Sequence, residues 1–179
     1  GIAAASTGHS HPKVVQAIAD QAARIIHAQQ NVYTHDLLEP LASKLDEITP
    51  PSIDTFFFAN SSDEVLEVAV KVAKHATGRH DIVVFDGAFH GRTHLTMAMS
   101  TARAIDRAGY GPFPPGVFVA PFPDPHASDQ EAEVSRALRG FDRLLQTQVV
   151  ADEIAAIVIE PVISERGYTP TPAGFIAGP

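Results

Sequence analysis

The sequence has 179 residues, 45% of them apolar, which is enough to bury the core of one domain. Its 13 Lys and Arg are scattered among 21 Asp and Glu for a net charge of −8, which argues against nucleic acid or an acidic membrane as a partner. There is no cysteine, so disulfides and thiolate metal sites are excluded and a cytoplasmic compartment fits best.

No apolar run approaches the roughly eighteen residues of a membrane span. The start, "GIAAASTGHSHPK", lacks the basic residues and apolar stretch of a signal peptide. Residues 12–27, "PKVVQAIADQAARIIH", set Val14, Val15, Ile18, Ala22, Ile25 and Ile26 at helical spacing, with Pro12 suited to a first turn. A second helix is predicted over 36–48, with Leu37, Leu38, Leu41 and Leu45 on one side and Pro40 confined to an early position. Beyond Pro50 and Pro51, short apolar runs alternate with longer helical ones. The runs "TFFFA" (55–59), "DIVVF" (81–85), "GVFVA" (116–120) and "IAAIVIE" (154–160) read as buried strands, and 62–77 and 129–147 as the covering helices. The remainder of 101–128 is too rich in Pro and Gly for regular structure and reads as a surface connection. The fold class is therefore α/β, a mostly parallel sheet flanked by helices. A helical segment, 1–50, leads into a larger unit, 51–179.

The helix over 62–77 is assigned an apolar face of Val65, Val68, Ala69, Val72, Ala73 and Ala76, and an opposite face of Glu64, Glu67, Lys71 and Lys74. Glu67 and Lys71 stand in the favourable i,i+4 order. Its start, "NSSD", offers Asn60, Ser61 or Ser62 as N-cap, with Asp63 and Glu64 at the positive end of the helix dipole. Two readings of this hinge stand side by side. It caps a helix and nothing more, or it presents free N–H groups at the carboxyl end of a sheet, where phosphates bind in α/β folds.

Four stretches, "GHSHPKVVQAI" (8–18), "FFFANSSDEVLEVAVKVAK" (56–74), "DGAFHGRT" (86–93) and "IEPVISERGY" (159–168), together resemble the class III, or omega-amino-acid, aminotransferases. The segment "GYGPFPPGVFVAPFPD" resembles the matching connection of 4-aminobutyrate aminotransferase-like proteins. The resemblance covers nearly the whole chain. It implies part of the large domain of the fold type I transferases that use pyridoxal 5′-phosphate (PLP), and a homodimer whose sites lie between subunits. The implied reaction moves an amino group from an omega-amino acid to a 2-oxo acid such as 2-oxoglutarate.

The family hinge runs Asn-Ser-Gly-Ala-Glu, with the Gly and Ala N–H groups on the cofactor phosphate. The resemblance thus assigns Ser61, Ser62 and Asp63 to the phosphate, with Ser62 and Asp63 standing in the Gly and Ala positions. A carboxylate beside a dianionic phosphate is repelled, so Asp63 is expected to turn to solvent or to pair with a cation. Phe89 matches the aromatic that stacks on the pyridine ring, since a flat conjugated cofactor needs an apolar face; ordinary core packing is its alternative. His90 follows as a neighbour of the cofactor. Glu160 closes a strand at the sheet's carboxyl edge, where an unpaired buried carboxylate is costly, and the resemblance puts it near the cofactor. Glu165 matches the gate glutamate, which the resemblance implies pairs with an arginine from the half of the enzyme outside this sequence in one half-reaction and frees it in the other; the intervening family Gln-Gly is Ile163-Ser164 here.

Amino transfer also requires a lysine that forms a Schiff base with the cofactor and an acidic partner for its ring nitrogen. The lysines, Lys13, Lys44, Lys71 and Lys74, lie on predicted helices outside any Ser-Lys context. "ADE" (151–153) precedes the "IEPV" strand, whereas the family's Asp-Glu motif follows it. The expectation is a fragment that lacks the lysine and is inactive alone. A racemase or epimerase of amino acids shares every motif, and a truncated or degenerate non-catalytic chain is the third reading. His9 and His11 belong to a turn rather than to a metal site.

Overall fold

The computed structural model describes residues 4–178. They fall into two compact units divided between Phe56 and Phe57.

The first unit carries two helices, α1 (Pro12–Arg24) and α2 (Leu38–Asp46). Pro12 opens α1 as its spacing predicts, where a missing N–H costs nothing. The helix ends at Arg24, three residues before the predicted end, because the extended backbone of Ile25 breaks the turn. Pro40 is the third residue of α2. The apolar side chains of α1 stay exposed, Ile18 at 64%.

In the second unit the central strand is β1 (Asp81–Phe85), flanked by β2 (Val117–Ala120) and β3 (Ile154–Ile157), all parallel. Because successive side chains of a strand point to opposite faces, β1 feeds two cores. Val83 and Phe85 join Phe122, Phe141 and Phe175, with Leu144, on the side of α5 (Gln130–Thr147) and the short α6 (Ala173–Ile176). Phe85 packs edge-on against Phe175 at 5.1 Å between ring centroids. Ile82 and Val84 join Val70 and Met99 on the side of α3 (Ser62–Thr77) and α4 (His94–Met99). Crossovers of one hand, leaving β1 for β2 and β2 for β3 in opposite directions, require helices on opposite faces, and α4 and α5 lie so. Burial on both faces explains why β1 is apolar without alternation. A small antiparallel pair, β4 (Val162–Ile163) and β5 (Thr169–Pro170), follows β3.

Three expectations change. The run 55–59 is not a strand: a strand needs a partner backbone, and no described strand pairs with it, leaving Phe57 64% exposed. The strand predicted over 154–160 ends at Ile157, although the Val158 N–H still reaches the Val83 carbonyl at 2.8 Å. The buried side of α3 is centred on Val70 (3% exposed), whereas Val65 and Val72 of the predicted face are 42% and 60% exposed. Apolar residues lie on two sides of α3, and the sheet takes the side carrying Leu66, Val70 and Ala73. The connection 101–128 is irregular around β2, as its Pro and Gly content predicts.

Candidate functional site

Since α3 leads directly into β1 and runs back against it, its N-terminus stands at the carboxyl end of the parallel sheet. Ser61 is the N-cap, its Oγ accepting from the Glu64 N–H at 3.2 Å. Glu64 returns the arrangement, its Oε2 accepting from the N–H of Asn60 at 2.7 Å and from its Nδ2 at 3.1 Å. Such reciprocal capping fixes the chain's entry into the helix. Ser62 is exposed, and among the described residues its N–H has no acceptor.

Asp63 neither turns to solvent nor pairs with a cation. Its Oδ1 accepts from the backbone N–H groups of Arg92 and Thr93, the latter at 3.1 Å, and from the Thr96 hydroxyl at 3.1 Å. Partial burial acts to raise its pKa, but these three donors outweigh it and hold the carboxyl below the usual range. The charge expected to face a phosphate is thus occupied by the N-terminus of α4. Glu67, expected to pair with Lys71, accepts instead from the Thr93 hydroxyl at 2.7 Å.

The loop between β1 and α4, residues 86–93, is held along its length by side-chain partners for its N–H groups. Gly87 donates to Thr101 Oγ1 at 2.8 Å, Phe89 to Glu160 Oε2 at 3.0 Å and His90 to Ser100 Oγ at 2.8 Å. An irregular backbone at a sheet edge needs such partners, since unpaired polar groups are costly where water is excluded. The Phe89 ring is half-buried, with the Arg92 guanidinium 5.6 Å from its centroid. Glu160 lies three residues beyond β3 and also accepts from the Ser164 hydroxyl at 3.2 Å.

His90 is 5% exposed, and its Nε2 is buried without a hydrogen-bond partner, a property shared among the described residues only by Arg107 Nε. Burial pushes its pKa below the ordinary histidine value, while the nearby Glu160 carboxylate pulls the other way. A buried ring nitrogen left without a partner calls for an explanation, and a role at a functional centre is one.

The structure therefore joins Asp63 to the Arg92–Thr93 end of the loop carrying Phe89 and His90, and joins Phe89 to Glu160. Ser61 serves the helix start. Glu165 makes a different pairing, its Oε2 3.9 Å from Arg103 Nε, and Arg103 also bonds Asp106 at 2.9 Å. Ser100, Thr101 and Thr96 were not singled out in the sequence, and Glu67 only as a partner for Lys71. The one signal that could have drawn attention to them is the run of hydroxyl residues, Thr93, Thr96, Ser100 and Thr101, which follows the loop at short intervals.

A model of the family described as aminotransferase class-III matches residues 1–178. The chain is 38% identical over 168 residues to a probable 4-aminobutyrate aminotransferase of Bacillus subtilis, covering 91% of this chain and 38% of that protein. It is 33% identical over 185 residues to an alanine/serine racemase of Pyrococcus horikoshii, covering 98% of this chain and 39% of the relative. Its fold superposes with a TM-score of 0.83 and 25% identity on the taurine:2-oxoglutarate aminotransferase of Bifidobacterium kashiwanohense, solved in complex with PLP and glutamate, over 96% of this chain and 40% of that one. The chain thus spans about 40% of the length of these relatives.

Proposed function

This chain belongs to the class-III aminotransferase family, and from that premise we propose that it supplies the phosphate hinge and the ring-stacking loop of a PLP-dependent enzyme that moves an amino group from an omega-amino acid to a 2-oxo acid. The observation that carries the reading is the meeting, at the carboxyl end of one parallel sheet, of the α3 start with the Phe89 loop through Asp63. Ligands of α/β sheets bind at that edge.

The residues present fit the cofactor. Ser62 offers an exposed hydroxyl and an N–H without a protein acceptor at the positive end of a sixteen-residue helix, which suits a phosphate. Asp63, the charge that would oppose a phosphate, already holds three donors. The half-buried Phe89 ring gives an apolar face for a flat heterocycle. PLP, when bound, acts as an electron sink for the bonds at the amino-bearing carbon.

In this reading Ser62 orients the phosphate and Phe89 holds the ring plane. Glu160 keeps Phe89 in place by accepting from its N–H, and His90 of the same loop is buried, so that water is excluded there. Glu165 acts as the gate for a substrate carboxylate, with Arg103 as the cation facing it in this chain. In this reading the whole protein works as a homodimer, as the family resemblance implies.

The test is formation of glutamate from 2-oxoglutarate by the whole polypeptide supplied with PLP and 4-aminobutyrate. The similarity to an alanine/serine racemase supports a second reading, amino-acid racemisation. Loss of optical rotation from L-alanine, without glutamate formation, would select it.

A further inference from the structure

We infer that Asp63 is a positioning residue that ties the start of α3 to the Arg92–Thr93 end of the stacking loop, and so fixes Phe89 relative to the phosphate hinge. The inference rests on the functional reading above and extends it to a residue that departs from the family's hinge pattern.

Three features separate this tie from ordinary helix capping. α4 is already capped without Asp63: the Thr93 side chain and backbone pair reciprocally with Thr96, whose Oγ1 accepts from the Thr93 N–H at 2.9 Å. What Asp63 adds is a connection between segments 29 and 30 residues apart in the chain. Space has also been cleared for it. A Cβ on Gly91 would fall 2.2 Å from Asp63 Oδ1, so glycine at 91 is what lets the carboxylate reach the two N–H groups. Finally, all three hydrogen bonds fall on Oδ1, while Oδ2 has no partner among the described residues. An amide oxygen in that place could accept the same three donors.

The two roles of the carboxylate, tie and charge, therefore separate in Asp63→Asn, which keeps the acceptor and removes the charge. Asp63→Ala removes both. The experiment uses the whole polypeptide and reads amide hydrogen exchange at Arg92 and Thr93, together with affinity for PLP and for pyridoxal, which lacks the phosphate. The expected result is that D63A loses protection at Arg92, while the Thr93 N–H keeps its Thr96 acceptor, and binds pyridoxal roughly tenfold more weakly, the scale of losing hydrogen bonds to a charged acceptor. D63N keeps protection and pyridoxal affinity, and binds PLP roughly fivefold more tightly because one repulsion is gone. Should D63A not fold, Asp63→Glu displaces the carboxylate by one methylene and is expected to weaken pyridoxal binding alike. Unchanged protection at Arg92 or unchanged pyridoxal affinity in D63A, or a D63N that behaves as D63A does, would overturn the proposal. A wild type that binds no PLP would refute the functional reading instead, with amide exchange still deciding the tie.

Discussion

Gly91 and Asp63 are fitted to each other: the backbone of Gly91, at φ +135°, passes so close to the Asp63 carboxylate that a Cβ built there would lie 2.2 Å from Oδ1 and 2.7 Å from Thr96 Oγ1. Gly91→Ala meets both the clash and a backbone conformation that L side chains avoid. We expect it to destabilise the fold by about 3 kcal/mol, read as a lowered urea midpoint. Combining it with Asp63→Ala should cost less than the sum of the two single changes, because one clash partner has been removed.

His90 makes the fold sensitive to mild acid. Its folded pKa lies below the unfolded value of about 6.5, so between the two the unfolded chain binds the extra proton. The stabilisation from the neutral ring is therefore complete above about pH 6.5 and is lost as pH falls below it. His90→Gln should flatten the wild-type decline in stability as pH falls below about 6.5, measured by urea unfolding at each pH. The carboxylate of Asp63, with its lowered pKa, gives up its contribution only at much lower pH, so the two effects separate.

Phe89 is assigned to the cofactor ring, and truncation should show it. In the whole polypeptide Phe89→Ala is expected to weaken PLP binding roughly tenfold, and Phe89→Tyr to leave it nearly unchanged, by absorbance titration. Equal weakening by both would mean that packing rather than stacking is being read.

The pair Glu165 and Arg103 should contribute almost nothing to stability. Its closest approach is 3.9 Å, with both side chains open to solvent and Arg103 shared with Asp106. Glu165→Gln, which leaves the Arg103–Asp106 bond in place, is expected to shift unfolding by less than about 1 kcal/mol. A change in KM for a dicarboxylate substrate without a change in stability would favour the gating role.

What could be read in advance follows from where the determinants lie. The α/β class, β1, β2 and the span of α3 and α5 were legible because burial on both faces leaves continuous apolar runs, and helical spacing repeats over many residues. The Ser61 cap was visible as one of three candidates. The packed face of α3 was not, since Val70 and Val65 are equally apolar and only the sheet chooses between them. Nor was "TFFFA", whose composition fits a strand while pairing depends on a backbone elsewhere. At the site, Phe89 and Glu160 stood out by motif, but the bond between Glu160 and the Phe89 N–H spans 71 residues and leaves no local trace. Asp63 drew attention as a misfit beside a phosphate. Its answer, the N–H groups of Arg92 and Thr93, becomes visible only when α3 and α4 are set side by side.

Whether the α3 start and the Phe89 loop together hold a phosphate-bearing ring is decided by the amide-exchange footprint of PLP on the whole polypeptide. Added PLP should slow exchange at Ser62 and across residues 89–93. Inorganic phosphate should slow it at Ser62 alone. Slowed exchange confined to other segments, or none at either one, would mean that the two do not hold the ring together.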